Sequence, residues 1–346
     1  MRRILILLFL LPLLILPARA LDYTAPPAPD DALELMPDES VSFGEDLWFV
    51  ISSAIKHLEP AVAEGMAVCG SVFAVALLLS ILKTMPGKTA QILDLAGVLV
   101  ISGILLGSAR SLITLATDTV TELSEYGKLL LPVMTAALAA QGGITSSTAL
   151  YTGTAVFDAV LSGGIKSLLV PMVWIFLILA VAAGATGGTM LQKLRDSVKW
   201  LITWCLKMIL YIFTGYISIT GVISGTADAA AIKATKLTMS GMVPVVGGIL
   251  SDASEAVLVG AGVMKNAAGV YGLLAILAMW ITPFLRIGVQ YLLLKLTAAL
   301  CAMFDNKAVT GLIGTFSAAM GLLVAMTGTV CVLLLISLVC FMKGVS

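Results

Sequence analysis

From residue 62 onward the chain alternates long apolar runs with short polar breaks. A membrane-spanning helix needs about 20 predominantly apolar residues. On that criterion the predicted spans are Val62–Leu82, Ile92–Ser108, Leu168–Thr186, Trp200–Ile223, Ala267–Leu285, Gly288–Phe304 and Ala318–Met342. Ahead of them, Leu47, Ile51, Ala54, Ile55 and Leu58 share one face of a helix, the pattern of an amphipathic helix lying on a membrane surface. Residues 1–20 place two arginines before the apolar run Ile4–Ile15 and end in Ala18-Arg19-Ala20, as a cleaved signal peptide does. An uncleaved first anchor is the alternative reading of the same run. The domain order is thus a signal peptide (1–20), an acidic Pro-rich extracytoplasmic arm (21–46), an interfacial amphipathic helix (47–61) and a helical membrane body (62–346). The arm's prolines and carboxylates predict a solvated, disordered segment.

Two stretches fit neither a span nor a loop. Leu129–Gly164 and residues 240–262 are too apolar for solvated loops, yet Pro132, Pro244, Gly247 and Gly248 interrupt them. Asp158, Asp252 and Glu255 place carboxylates within them. Such stretches suit re-entrant hairpins, whose non-helical backbone is satisfied by protein or a wet cavity. A shift of 112 residues sets Pro132-Val133 on Pro244-Val245 and Pro171 on Pro283, which suggests a parallel internal repeat. Prolines common to membrane helices explain the same coincidence. The expected fold class is an all-α polytopic membrane protein with about seven transmembrane helices and two broken re-entrant hairpins.

Composition supports this class. The 346 residues are 60% hydrophobic and 12% charged, whereas soluble domains carry about 25% charged residues. The mean hydropathy is +1.08. Lys plus Arg equals Asp plus Glu, at 20 each, so net charge points to no nucleic-acid partner. The positions of the charges are more informative. Lys83 and Lys88, then Lys193, Arg195 and Lys199, with Arg286 and Lys343, mark cytoplasmic ends under the positive-inside rule. That scheme requires an odd number of spans, an extracytoplasmic N-terminus and a cytoplasmic C-terminus. Lys207, Lys295 and Asp94 fall within predicted spans. The two lysines either snorkel to the interface or face the bundle interior, where with Asp94 they would line a path.

Catalytic signatures are absent from the sequence: no GxxxxGK[ST], HExxH, GxSxG or GxGxxG occurs. The single histidine, His57, lies on the amphipathic helix, and the five cysteines sit in apolar runs without CxxC spacing. No enzyme activity, disulfide, metal or cofactor is expected. Gly103/Gly107 and Gly311/Thr315 have the small-xxx-small spacing of close helix packing. Over residues 225–240, Thr226 can cap a helix with Asp228 in its first turn and Lys233 and Lys236 toward its end, an order that suits the helix dipole.

Asp228, Ile232, Lys233, Lys236, Gly241, Val243-Pro244-Val245-Val246-Gly247, Asp252-Ala253, Lys265-Asn266-Ala267 and Gly269 resemble the stage III sporulation protein AE family. The resemblance is densest over residues 225–310 and does not extend to the acidic arm. It implies a non-enzymatic membrane subunit of a channel complex that links mother cell and forespore. The implied location is the mother-cell membrane around the forespore. The implied partners are other sporulation membrane proteins, a forespore membrane partner, a separate cytoplasmic ATPase and the lipid bilayer. The competing reading is a permease that moves a small solute through a site between the two broken hairpins.

Overall fold

In lipid, each backbone N–H and C=O must be satisfied within its own segment, so apolar runs of this length fold as helices. The computed structural model describes residues 25–37, 42–83, 90–242, 247–304 and 306–343, and the side chains of 90–91, 221–242, 247–261 and 264 fall outside the description. The proposed signal peptide therefore lies outside the described residues. The helices in chain order are α1 (Asp30–Leu33), α2 (Phe43–Lys56), α3 (Glu59–Lys83), α4 (Ala90–Ala140), α5 (Ile144–Gly164), α6 (Val170–Thr186), α7 (Thr189–Met242), α8 (Gly247–Ala302) and α9 (Lys307–Lys343). A π-helical turn, Ile165–Leu169, joins α5 to α6 without a break. It precedes Pro171, whose missing N–H and bulky ring a straight α-helix accommodates poorly.

Among the described residues, six stretches are long and apolar enough to cross a membrane: Glu59–Lys83, Ile92–Ala140, Ile144–Thr186, Thr189–Thr220, Lys265–Ala302 and Lys307–Lys343. The expected seventh disappears because Ala267–Leu285 and Gly288–Phe304 belong to one helix up to Ala302. Pro283 lies inside α8, and one lost backbone hydrogen bond does not end a helix held by its neighbours. If these six described stretches are the crossings, both ends of the membrane body fall on one face, which differs from the odd-number scheme.

The first interrupted stretch is also corrected: it is the tip of a hairpin of long helices, continuous with the spans. Pro132 lies inside the 51-residue α4, and the chain turns later, at residues 141–143. Gly142 adopts φ 91°, open to glycine at little cost, and its N–H bonds to Ala139 O at 2.9 Å. In the second stretch α7 ends at Met242 and α8 begins at Gly247, and the residues between them lie outside the described residues. The 112-residue shift sets Pro132, inside α4, on Pro244, which lies outside the described residues. No new helix starts near Thr226, since α7 is continuous there.

The core sits around α9, which packs against α8, α4, α6, α5 and α7. Phe316, Met326, Val330 and Phe341 run along it fully buried. Small residues set the closest approaches: a Cβ on Gly153 would meet the Tyr216 ring at 2.0 Å, and one on Gly272 would meet Leu130 at 2.7 Å. Gly103, Gly107 and Gly311 have nothing within 4 Å of such a Cβ, so their spacing marks no helix contact among the described residues.

Candidate functional site

Ser42 caps α2 by accepting the Glu45 N–H at 3.4 Å. α2 packs on α8 through a buried stripe, Asp46, Val50 and Ala54, while Trp48 and Ile55 stay exposed. Residues 25–37, expected to be solvated, instead lie in the groove between α4 and α8. The Ala28 N–H donates to Tyr271 Oη at 3.2 Å, and Tyr126 Oη donates to Pro26 O at 3.3 Å. Ala28, Ala32 and Leu35 bury their small apolar side chains there. Composition suggested disorder, but alanines spaced between the carboxylates give the segment a face that packs.

This segment roofs a polar crevice. One cavity of about 300 Å³ is lined by Asp31, Glu34, His57, Asp118, Glu122 and Arg286, among others. A neighbouring cavity of about 240 Å³ is lined by Glu64, Ser108, Ser111, Asp118, Arg286 and Gln290. Leu115, Asp118 and Arg286 border both. Among the described residues Arg286 has no carboxylate within 4.0 Å. Gln290 is 5% exposed, and its Nε2 has no hydrogen-bond partner among the described residues. Gly65 allows α3 to approach there, since a Cβ on it would lie 2.7 Å from Gln290 Oε1. The crevice can therefore offer oxyanion donors on one wall and carboxylate acceptors on the other.

Sequence reading missed this cluster, treating Arg286 only as a marker of orientation and His57 as interfacial. The signal available was Asp118, Glu122 and Glu125 at helical spacing between two apolar runs.

A second polar group involves an expected residue. Asp158 is 3% exposed and accepts the Ser124 hydroxyl on Oδ2 at 2.6 Å, and Ser162 Oγ lies 3.3 Å from that hydroxyl oxygen. Its Oδ1 has no partner among the described residues. Nearby, Thr154 Oγ1 donates to Ser337 Oγ at 2.8 Å, joining α5 to α9.

The remaining expected residues are scattered. Lys265 is buried and Asn266 exposed on α8, and Pro132 is exposed on α4. Lys207 and Lys295 are both exposed, the latter donating to Tyr291 Oη at 3.1 Å, so neither faces the bundle interior. Asp94 pairs with Lys83 where α3 and α4 adjoin, not with either of these lysines. Asp228, Lys233 and Lys236 lie on α7, with Gly247, Gly248, Asp252 and Glu255 at the start of α8; their side chains are not described. Pro244 falls outside the described residues. The two hairpins do meet, where Gly262 of α8 lies against Gln141: a Cβ on that glycine would lie 2.5 Å from Gln141 Nε2.

No solved structure gives a significant match to the chain. Stage III sporulation protein AE of Bacillus subtilis (strain 168) is similar at 24% identity over 196 residues, 56% of this chain and 49% of that protein. The match thus spans about half the length of that curated relative. The family model for stage III sporulation protein AE matches residues 39–344, from ahead of α2 to the end of α9. The chain belongs to the stage III sporulation protein AE family, and is a multi-span membrane protein of stage III sporulation.

Proposed function

We propose that the chain is a non-enzymatic subunit of a membrane complex that connects mother cell and forespore during sporulation, forming part of a channel between them. One observation carries this reading: the hairpins are too tall for a single bilayer to cover. α4 has 51 residues, about 75 Å of helix against about 30 Å of hydrocarbon. Beyond the charged level of Asp118 and Glu122, Leu129 is 61% and Ile144 is 66% exposed. Val156 and Val160 on α5 are exposed as well. Apolar surface in this position calls for protein to cover it. The proposed partners are other sporulation membrane proteins, including one in the forespore membrane, with a separate cytoplasmic ATPase supplying energy. The proposed location is the mother-cell membrane around the forespore.

Photo-crosslinking from a benzophenone amino acid at position 156 or 160 in sporulating cells tests this. The expected result is a covalent adduct with another sporulation membrane protein. Adducts with lipid alone at both positions would overturn the reading. The permease reading draws its support from the crevice around Arg286, since the two lysines it relied on are exposed.

A further inference from the structure

We propose that the crevice between α3, α4 and α8 binds a small zwitterion, with its oxyanion on Arg286 and Gln290 and its ammonium group on Glu64 and Asp118. Gln290 is the starting point. An amide N–H₂ that is buried without an acceptor costs free energy; Gln290 lines the 240 Å³ cavity, and its Nε2, itself buried, has no acceptor among the described residues. An oxyanion entering this cavity would supply the missing acceptor once the amide turns toward it. Arg286, on the same helix and bordering the same cavity, has no described carboxylate within 4.0 Å and presents a fork suited to carboxylate or phosphate. Glu64 from α3 and Asp118 from α4 line the same space, so a ligand that carried only negative charge would be repelled. A group bearing both charges a few bonds apart matches the two walls. Drug-sized ligands occupy pockets of about 300–1,000 Å³, so this cavity suits a smaller one.

Depth narrows the source. Arg286 lies 16 residues before the end of α8 at Ala302, about 24 Å by the helical rise. Glu64 lies 19 residues before the end of α3 at Lys83, about 28 Å. Both distances approach one hydrocarbon thickness of about 30 Å, which places the cavity at a headgroup level. The shared chemistry, oxyanion plus ammonium, is found in a free α-amino acid and in the headgroup of phosphatidylethanolamine. The inference is independent of the partner reading, because it concerns a cavity internal to one chain.

The test uses the full chain in nanodiscs of phosphatidylcholine and phosphatidylglycerol. One arm measures equilibrium binding of radiolabelled L-alanine. The other adds phosphatidylethanolamine to the discs and counts retained lipid by native mass spectrometry. Saturable binding of one probe is expected, weakened at least tenfold in Arg286→Met and Gln290→Leu and unchanged in Lys207→Met. Glu64→Gln, which leaves the donors intact, should weaken the same probe about tenfold and serves if Arg286→Met fails to fold. L-alanine binding assigns a solution ligand, and retained phosphatidylethanolamine assigns a lipid. The proposal is overturned if neither probe binds saturably, or if folded Gln290→Leu and Glu64→Gln bind as the unaltered chain does.

Discussion

At the scale of single residues, the molecule tolerates buried polar groups where a neighbouring helix supplies a donor. Asp158 is the clearest case, since the Ser124 hydroxyl on α4 is its described hydrogen-bond donor, at 2.6 Å. Removing that hydroxyl leaves a buried carboxyl short of a partner, a change that costs about 1–3 kcal/mol. Ser124→Ala is therefore expected to lower the thermal unfolding midpoint in detergent, followed by tryptophan fluorescence. Asp158→Leu on the Ser124→Ala background should recover part of the loss, because replacing both partners with apolar groups costs less than stranding one. An unchanged midpoint in Ser124→Ala would refute the pairing. Residue-level sequence reading singles out Asp158 as a carboxylate in an apolar stretch, but it has no means of finding Ser124, which lies 34 positions away on another helix.

At the scale of elements, helix identity was legible and helix ends were not. The apolar pattern finds part of each long helix except α5, which it reads as a broken hairpin, and it draws boundaries at prolines and charges that the helices run through, as at Pro132 and Pro283. A bundle partner satisfies what a proline frees, so the break a proline implies in isolation does not occur. The real turn at residues 141–143 is marked by consecutive glycines rather than by Pro132. The polar crevice was overlooked for a related reason. Ending the second span at Ser108 left Asp118 and Glu122 in an unassigned gap, although α4 carries both. Packing of residues 25–37 was equally hidden, because composition says nothing of a groove formed by α4 and α8. Two glycines of α4 and its turn test this reading of element ends. Gly142→Val forces a branched residue to φ 91°, a conformation that costs about 1–2 kcal/mol for L-residues. Gly107→Ala, mid-helix with nothing within 4 Å of the added Cβ, should instead stabilise by about 0.5–1 kcal/mol. Opposite shifts in unfolding midpoint are the expected result. A loss in Gly107→Ala as large as in Gly142→Val would show that the turn lies elsewhere.

At the scale of the whole molecule, the merged α8 changes the orientation argument. Short connections at residues 141–143 and at Gly187-Gly188 return the chain on itself, so successive long helices run antiparallel. Gly187 makes the second turn with φ 67°, its N–H bonding to Ala183 O at 2.9 Å. Following six spans from Glu59 brings Lys343 to the face on which Glu59 began. The opposite face collects Lys83, Lys193, Arg195, Lys199 and Lys307, a basic excess from which the positive-inside rule predicts a cytoplasmic face. Glu59, Glu64, Asp118 and Glu122 then lie toward the extracytoplasmic side, where acidic residues are free of the charge bias. This orientation predicts the N-terminal arm and the C-terminus both outside, with Arg286, beside Glu64 and Asp118, and Lys343 as exceptions that the basic cluster outweighs. In a cysteine-free background, Glu59→Cys and Lys343→Cys should both react with a membrane-impermeant maleimide applied to intact protoplasts. Lys193→Cys should react only after permeabilisation. If Lys343→Cys is protected along with Lys193→Cys while Glu59→Cys is labelled, the number of crossings is odd and a further span must be sought beyond these six.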